Sequence, residues 1–269
     1  MTLREPQGER EGLQPAIEEA ARVIADSQHV VALVGAGLSA ESGVPTFRGP
    51  EGLWTKHGEP DLRDYERFVE DPKRWWEQRL ERTSRFAEFA QALDEAVPNA
   101  GHFALRDLEE MGRLQHIITQ NIDNLHQIAG SQAITEIHGN RIKLRCVLCN
   151  QRWAYEDVSL DELPPKCPDC ASGVVKSDTV MFGEPIPRDA LDECINQSRM
   201  CDCMLLIGTS AVVYPAAQFP EDVKISGGTL IEVNPNETPL TRISDVVLRA
   251  PAGEALSLVV ERLRSLPLR

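Results

Sequence analysis

Apolar and polar positions follow two rhythms along this chain. "QPAIEEAARVIADS" places Ile17, Ala21 and Ile24 at helical spacing, which predicts an amphipathic helix. "HVVALVGAG" is continuously apolar and ends in glycines, which predicts a buried parallel strand entering a tight turn. "DPKRWWEQRLERTSRFAEFAQALDEA" predicts one long helix, with Asp71 as N-cap and Pro72 at the first helical position. Trp76, Leu80, Thr83 and Ala87 are expected to share one face of it. "PNAGHFALRDLEEMGRL" predicts another helix, stopped by Gly112, and "QHIITQNID" a strand running into a polar loop. "CDCMLLIGTS", "GGTLIEVNPN" and "SDVVLRAP" are further apolar strands ending in small or polar residues. "GEALSLVVERLRSL" closes the chain as an amphipathic helix. Strands alternating with helices predict an α/β fold built on a parallel sheet.

Between about residues 141 and 180 the rhythm breaks. Prolines, cysteines and short polar pieces replace the long apolar runs. A segment of about 40 residues this poor in apolar runs cannot build its own core, so a metal is expected to organise it. The expected organisation is one main unit formed by 15–140 and 181–266, with 141–180 inserted as a small module.

Composition narrows the partners. The chain has 269 residues and a formal net charge of −14. Acidic surfaces do not neutralise phosphates, so nucleic acid is not expected as the main ligand. The charge suits a basic partner such as a lysine-rich peptide, and equally suits plain solubility. No apolar run is long enough to span a bilayer. The polar start, "MTLREPQGEREGLQP", has no h-region, so the expected location is the cytoplasm and no membrane partner is expected. Seven cysteines, an odd number, without an export signal argue against a disulfide framework.

Four of those cysteines fall into pairs. "CVLC" holds Cys146 and Cys149, and "CPDC" holds Cys167 and Cys170, with seventeen residues between the pairs. This is four-cysteine zinc spacing: each tight turn supplies two thiolates, and two turns complete a tetrahedron. A filled shell has no open position, so the zinc is expected to be structural. His138, in "TEIHGN", is then free for other work.

A second constellation sits at the predicted strand ends. In "GAGLSAESGVPTFRG", Gly35 and Gly37 permit a tight turn and a close approach to a pyrophosphate, and Ser39 offers a hydroxyl. A purely structural turn fits this motif as well. "TQNID", "GTS" and "VNPN" repeat the pattern, and ligands of open α/β sheets bind at such ends. Asp123 can accept hydrogen bonds from a carboxamide, and Asn121 can bond a ribose hydroxyl. His138 has the ordinary pKa of a general base, although a lone histidine fits a structural role too.

Taken together, "GAGLSAESGVPTFRG", "TQNIDNLH", "EIHG", the two cysteine pairs, "FGE", "GTS" and "VNPN", in this order, resemble the sirtuins, the NAD-dependent protein lysine deacylases. The resemblance covers about residues 20–263. It implies a doubly wound, Rossmann-like NAD-binding domain with a small inserted zinc-ribbon domain, and an active site in the cleft between them. It implies NAD contacts from Gly35, Ala36, Gly37, Ser39 and Ala40, from Thr46, Phe47 and Arg48 closing over the ligand, and from Gln120, Asn121, Ile122, Asp123 and His138. Gly208, Thr209, Ser210, Asn234, Pro235, Asn236 and Ala252 complete that set. Cys146, Cys149, Cys167 and Cys170 are implied as zinc ligands. "VMFGE" and "GTSAVVYPA" are similar to two strands that clamp an acyl-lysine peptide by backbone pairing, through Val180, Phe182, Gly183, Glu184, Val212 and Tyr214.

The chemistry implied is attack of the acyl-lysine amide oxygen on the ribose carbon that carries nicotinamide, followed by proton removal from a ribose hydroxyl by His138. The products are nicotinamide, free lysine and O-acyl-ADP-ribose. One sirtuin branch removes succinyl and malonyl groups with a Tyr-x-x-Arg pair. Here those positions hold Arg79 and Arg82, so the arginine is kept and the tyrosine is not. Deacetylation is the expected activity of a monomeric enzyme, with acidic acyl groups bound by Arg82 and Arg79 as the alternative. NAD glycohydrolase or ADP-ribosyltransferase chemistry would use the same pocket without an acyl-lysine. A non-catalytic NAD-binding or zinc-ribbon adaptor would need no base at His138.

Overall fold

The computed structural model describes residues 7–48, 52–81 and 87–266. Nine strands occur among them: β1 (Val30–Val34), β2 (His116–Thr119), β3 (Ile134–Glu136), β4 (Lys143–Cys146), β5 (Arg152–Ala154), β6 (Val175–Ser177), β7 (Cys203–Ile207), β8 (Thr229–Val233) and β9 (Val246–Leu248). Six form a parallel sheet in the order β3-β2-β1-β7-β8-β9. The order reverses at β1, so the turns after β1 and β7 leave the same sheet edge side by side. In open α/β sheets that is where a ligand crevice forms.

The apolar pattern of β1 explains its central place. Val30, Ala32 and Val34 pack into one core with the helices Gln7–Asp26, Ala100–Glu110 and Ala252–Ser265. Val31 and Leu33 pack into the core on the other face, with Cys194 and Phe219 from the helices Arg188–Met200 and Gln218–Ile225. A strand covered on both faces must be apolar throughout, and all five residues of β1 are buried.

The three remaining strands form an antiparallel sheet, β5-β4-β6, carrying the cysteine pairs at its end. Its core is small: Leu144, Val158 and Val175 pack with Cys146, Cys167 and Trp76. Trp76 comes from the helix Pro72–Leu80, and its indole Nε1 donates to the Val175 carbonyl at 2.8 Å.

Asp71 does cap that helix, accepting from the Arg74 amide at 3.0 Å, and Pro72 opens it. The helix is not the single long one the sequence predicts. It stops at Leu80, and a second helix spans Ala87–Glu95. Arg82 and Thr83 lie outside the described residues. Trp76 is buried whereas Leu80 is half exposed, so the expected apolar face does not persist.

Two histidines are buried against each other. His102 and His126 have ring centroids 5.1 Å apart, and neither is exposed by more than 1%. His102 Nδ1 accepts from the Asn99 amide in a capping box, which places its proton on Nε2. Burial pushes His102 down to about 4 and His126 to about 3. Both folded values lie below histidine's ordinary 6.5. The unfolded chain therefore takes up protons first as pH falls, and stability is lost from about pH 6.5 downward. Each group contributes a slope of at most about 1.4 kcal/mol per pH unit. Denaturant midpoints are expected to fall between pH 6.5 and 4.5, and to fall less in His126→Leu; equal slopes would remove this pair as the cause.

Candidate active site and metal centre

The turn after β1 is built by contact between loops. A Cβ on Gly35 would lie 2.8 Å from Thr209 Cα, and one on Gly37 would lie 2.6 Å from Gly208 Cα. The Gly37 amide donates to the Gly208 carbonyl at 2.8 Å. These glycines are thus required by the approach of two strand-end loops, whatever lies above them.

The polar side chains beneath the turn are tied together. Ser39 Oγ donates to Asp123 Oδ2 at 2.6 Å and accepts from Asn121 Nδ2 at 3.1 Å. Asp123 Oδ1 accepts from the Leu125 amide at 3.0 Å. The Ser39 hydroxyl is therefore committed to Asp123, a role that the loop motif alone does not reveal. Burial raises the Asp123 pKa, and the bonds from Ser39 and Leu125 oppose that shift.

His138 follows β3. Its Nδ1 lies 3.0 Å from the Gln120 carbonyl, an acceptor only, so Nδ1 carries the proton and Nε2 has the free lone pair. Loss of surrounding water holds its pKa below the ordinary histidine value, while the Gln120 carbonyl acts the other way. At neutral pH the ring is uncharged and able to accept a proton.

These groups share one cleft of about 2690 Å³. A single small-ligand site typically occupies about 300–1,000 Å³, so there is room here for two ligands. Gly35, Ala36, Gly37, Ser39 and Ala40 line it from the turn after β1, and Gln120, Asn121, Ile122 and Asp123 from the loop after β2. Gly208, Thr209 and Ser210 follow β7, and Asn234, Pro235 and Asn236 follow β8. Thr46, Phe47 and Arg48 form one wall: Phe47 packs on Trp54 and Phe89, and Arg48 lies 4.3 Å above the Trp54 ring.

Arg79, Val180, Phe182, Gly183, Glu184, Val212 and Tyr214 also line the cleft, and Phe182 meets the Trp54 ring edge-on at 5.6 Å. Neither "VMFGE" nor "GTSAVVYPA" is a strand here. Both run irregularly along the cleft. The Glu184 side chain is 3% exposed and points behind the wall, to Arg145 and Lys176. Ala252 does not line the cleft. It opens the last helix with its side chain in the core, where the Glu41 carboxylate already accepts from the Gly253 amide at 2.7 Å. Trp75 and Tyr155, which no motif marks, also line the cleft. Arg79 donates to the Tyr155 phenol at 3.0 Å.

The four cysteine Sγ atoms all lie within 4.8 Å of one another. Cys146 and Cys170 are 3.8 Å apart, and Cys149 and Cys167 are 3.6 Å apart. A tetrahedron of sulfurs about 2.3 Å from zinc has edges of about 3.8 Å, so the set fits that ion. Backbone amides already point at the sulfurs, from Leu148 to Cys146 at 3.4 Å and from Gly173 to Cys170 at 3.3 Å. Such donors suit thiolates. A Cβ on Gly173 would lie 2.2 Å from Cys146 Sγ, so only glycine closes this turn.

Fold and site together define an α/β dinucleotide-binding protein with a four-thiolate zinc module beside its ligand cleft. The Sir2 family model matches residues 35–215. An NAD-dependent protein deacylase of Pyrococcus abyssi (strain GE5 / Orsay) is 45% identical over 255 residues, covering 93% of this chain and 99% of that protein. One from Aquifex aeolicus (strain VF5) is 43% identical over 240 residues, covering 89% and 97%. Among solved structures, a Sir2 homologue–NAD complex superimposes with a TM-score of 0.75 at 41% identity, covering 92% of this chain and 93% of that one. A Sir2–p53 peptide–NAD+ complex does so with a TM-score of 0.73 at 36% identity, covering 91% and 97%. The chain belongs to the Sir2 family.

Proposed function

We propose that this protein is an NAD-dependent protein lysine deacylase with His138 as its general base. One observation carries the reading: a neutral histidine, its tautomer fixed by Gln120, stands in a cleft with room for two ligands. A pure binding module has no use for a base held in this way. The relatives named as NAD-dependent protein deacylases and the peptide-bound Sir2 complex support the same assignment.

NAD, when bound, supplies the nicotinamide leaving group and the ribose that receives the acyl group. The chain's own residues divide the remaining work. The Gly35–Ala40 turn, with Gly208, Thr209 and the Asn234–Asn236 loop, holds the dinucleotide. Asp123, fixed by Ser39, accepts from its carboxamide. Phe47 screens the ribose from water. Val180–Glu184 and Val212–Tyr214 form the peptide's walls, and the exposed Val212 and Tyr214 suit a partner that covers them. The four cysteines hold a structural zinc that takes no part in the reaction.

Asp123 is an acceptor-only group with both oxygens in use. In Asp123→Asn one of those contacts meets an NH₂ group. The KM for NAD is expected to rise roughly 10- to 100-fold, the range for losing a hydrogen bond to a charged group, and nicotinamide inhibition to weaken with it. Steady-state kinetics with varied NAD check this; unchanged values for both would remove Asp123 from the site.

Acetyl-lysine is the substrate we place first. Arg79 beside the Tyr155 phenol at the cleft wall favours a second reading, removal of acidic acyl groups. Arg79 is already engaged there, with its guanidinium 5.3 Å from the Trp75 ring, and this weakens that reading. Acyl-dependent nicotinamide release from acetyl, succinyl and glutaryl forms of one peptide tests both. We expect acetyl to give the highest kcat/KM. A succinyl preference of about tenfold, equivalent to about 1.4 kcal/mol in the barrier, would reverse the order.

A further inference from the structure

Behind the substrate wall lies a group of charges that the chemistry above does not use. Arg145, Lys176, Asp178 and Glu184 have side chains exposed by 3%, 0%, 1% and 3%. Two positive and two negative groups are thus almost wholly removed from water. Arg145 Nε donates to Asp178 Oδ1 at 2.9 Å, and its Nη2 to Glu184 Oε1 at 2.5 Å. Lys176 Nζ lies 3.0 Å from Glu184 Oε2. Arg152 joins at the rim, donating to Asp178 at 3.1 Å and to the exposed Asp189 at 2.7 Å.

Apolar residues of similar volume would fill this space at lower cost, because desolvating charges offsets most of their attraction. Apolar residues would lack direction, and every member of the quartet also holds a specific point of backbone or loop. Asp178 Oδ2 accepts from the Asn140 amide at 3.2 Å, two residues beyond His138. Glu184 Oε2 accepts from the Met181 amide at 2.8 Å. Lys176 Nζ donates to the carbonyls of Ser177 at 2.8 Å and Thr179 at 2.7 Å. Arg145 Nη1 donates to Asn150 Oδ1 at 3.1 Å, beside the first cysteine pair. The Val180 amide donates to the His138 carbonyl at 2.9 Å, joining the two held segments. Contact is close here: a Cβ on Gly139 would fall 2.1 Å from the Asp178 carbonyl oxygen.

We infer that the Arg145–Lys176–Asp178–Glu184 quartet is a positioning device, in which Glu184 fixes the wall Thr179–Phe182 in register with His138 and so sets how the acyl-lysine peptide is presented to the base. This rests on the deacylase reading for the identity of the peptide. The quartet touches no reacting atom. Arg145 on β4 and Lys176 on β6 belong to the zinc-bearing sheet, so the device also connects that sheet to the substrate wall.

Glu184→Gln removes one charge but keeps the shape. The KM for an acetyl-lysine peptide is expected to rise about tenfold or more, the consequence of losing charged hydrogen bonds that orient the wall. The KM for NAD and the bound zinc should stay within about twofold of wild type, because no group contacting either is changed. Hydrogen exchange at the amides of 180–184 should accelerate, with 146–149 unaffected. Should the single variant fail to fold, the charge-balanced pair Lys176→Met with Glu184→Gln carries the same test and the same expectations. An unchanged peptide KM with unchanged exchange at 180–184 would overturn the proposal. So would equal losses of peptide KM, NAD KM and zinc, which mark a merely structural cluster. If the wild type releases no nicotinamide in response to acyl-peptide, the deacylase reading fails. The exchange at 180–184, which needs no substrate, then decides the positioning proposal alone.

Discussion

Replacing His138 with alanine is expected to lower deacylation by about two to four orders of magnitude, the usual worth of a positioned general base. Zinc content and secondary structure should remain near wild type, because the ring's hydrogen bond among the described residues goes to the Gln120 carbonyl and not to the cysteines. The pH profile gives a second readout. Burial lowers the His138 pKa, so the neutral, proton-accepting form persists below the ordinary value of 6.5. Activity limited by this base should rise with pH along an acid limb centred below 6.5, and that limb should vanish in the variant. Loss of bound zinc in His138→Ala would make the histidine a metal ligand instead, and the account of the site would fail with it.

Cys167→Ser is expected to have the other large effect. Cys167 is 2% exposed and shares its small core with Leu144, Val175 and Trp76, which is too little apolar surface to hold three short strands. Zinc binding to such modules is worth about 10–16 kcal/mol, and that free energy is folding free energy. Without it the β4–β6 sheet should open. The Trp76 bond to Val175 would go with it, and the Arg145–Glu184 contacts would loosen the substrate wall. Loss of about one zinc per chain, a shifted tryptophan emission and at least a tenfold drop in activity are expected together. A chelator should reproduce them in the wild type. Full stability and activity in Cys167→Ser would show that the sheet stands without metal.

The sequence carried these features unevenly, for physical reasons. β1 and β7 are legible because strands covered on both faces must be apolar at every position, as "VVALV" and "CMLLI" are. The zinc ligands are legible because tetrahedral geometry forces paired spacing within a single segment. The end of the helix at Leu80 is less visible, since no glycine or proline follows it to mark a stop. The two peptide segments resemble strands in composition, but a strand needs a partner. The Arg145–Glu184 bond joins residues 39 apart, and no local rhythm announces it. Its trace is a lysine and an arginine inside strands too short to send them to solvent. The commitment of Ser39 to Asp123 spans 84 residues and is equally silent in the chain.

The central claim, that bound acyl-lysine and the base His138 act together in one cleft, is tested most directly by mass spectrometry of a single reaction. Purified protein is incubated with NAD and an acetyl-lysine peptide, and nicotinamide, deacetylated peptide and O-acetyl-ADP-ribose are counted. The account predicts equal amounts of all three, and no nicotinamide when the peptide is unacylated. Release of nicotinamide and free ADP-ribose at the same rate with or without acyl-peptide would contradict it and leave an NAD glycohydrolase in its place.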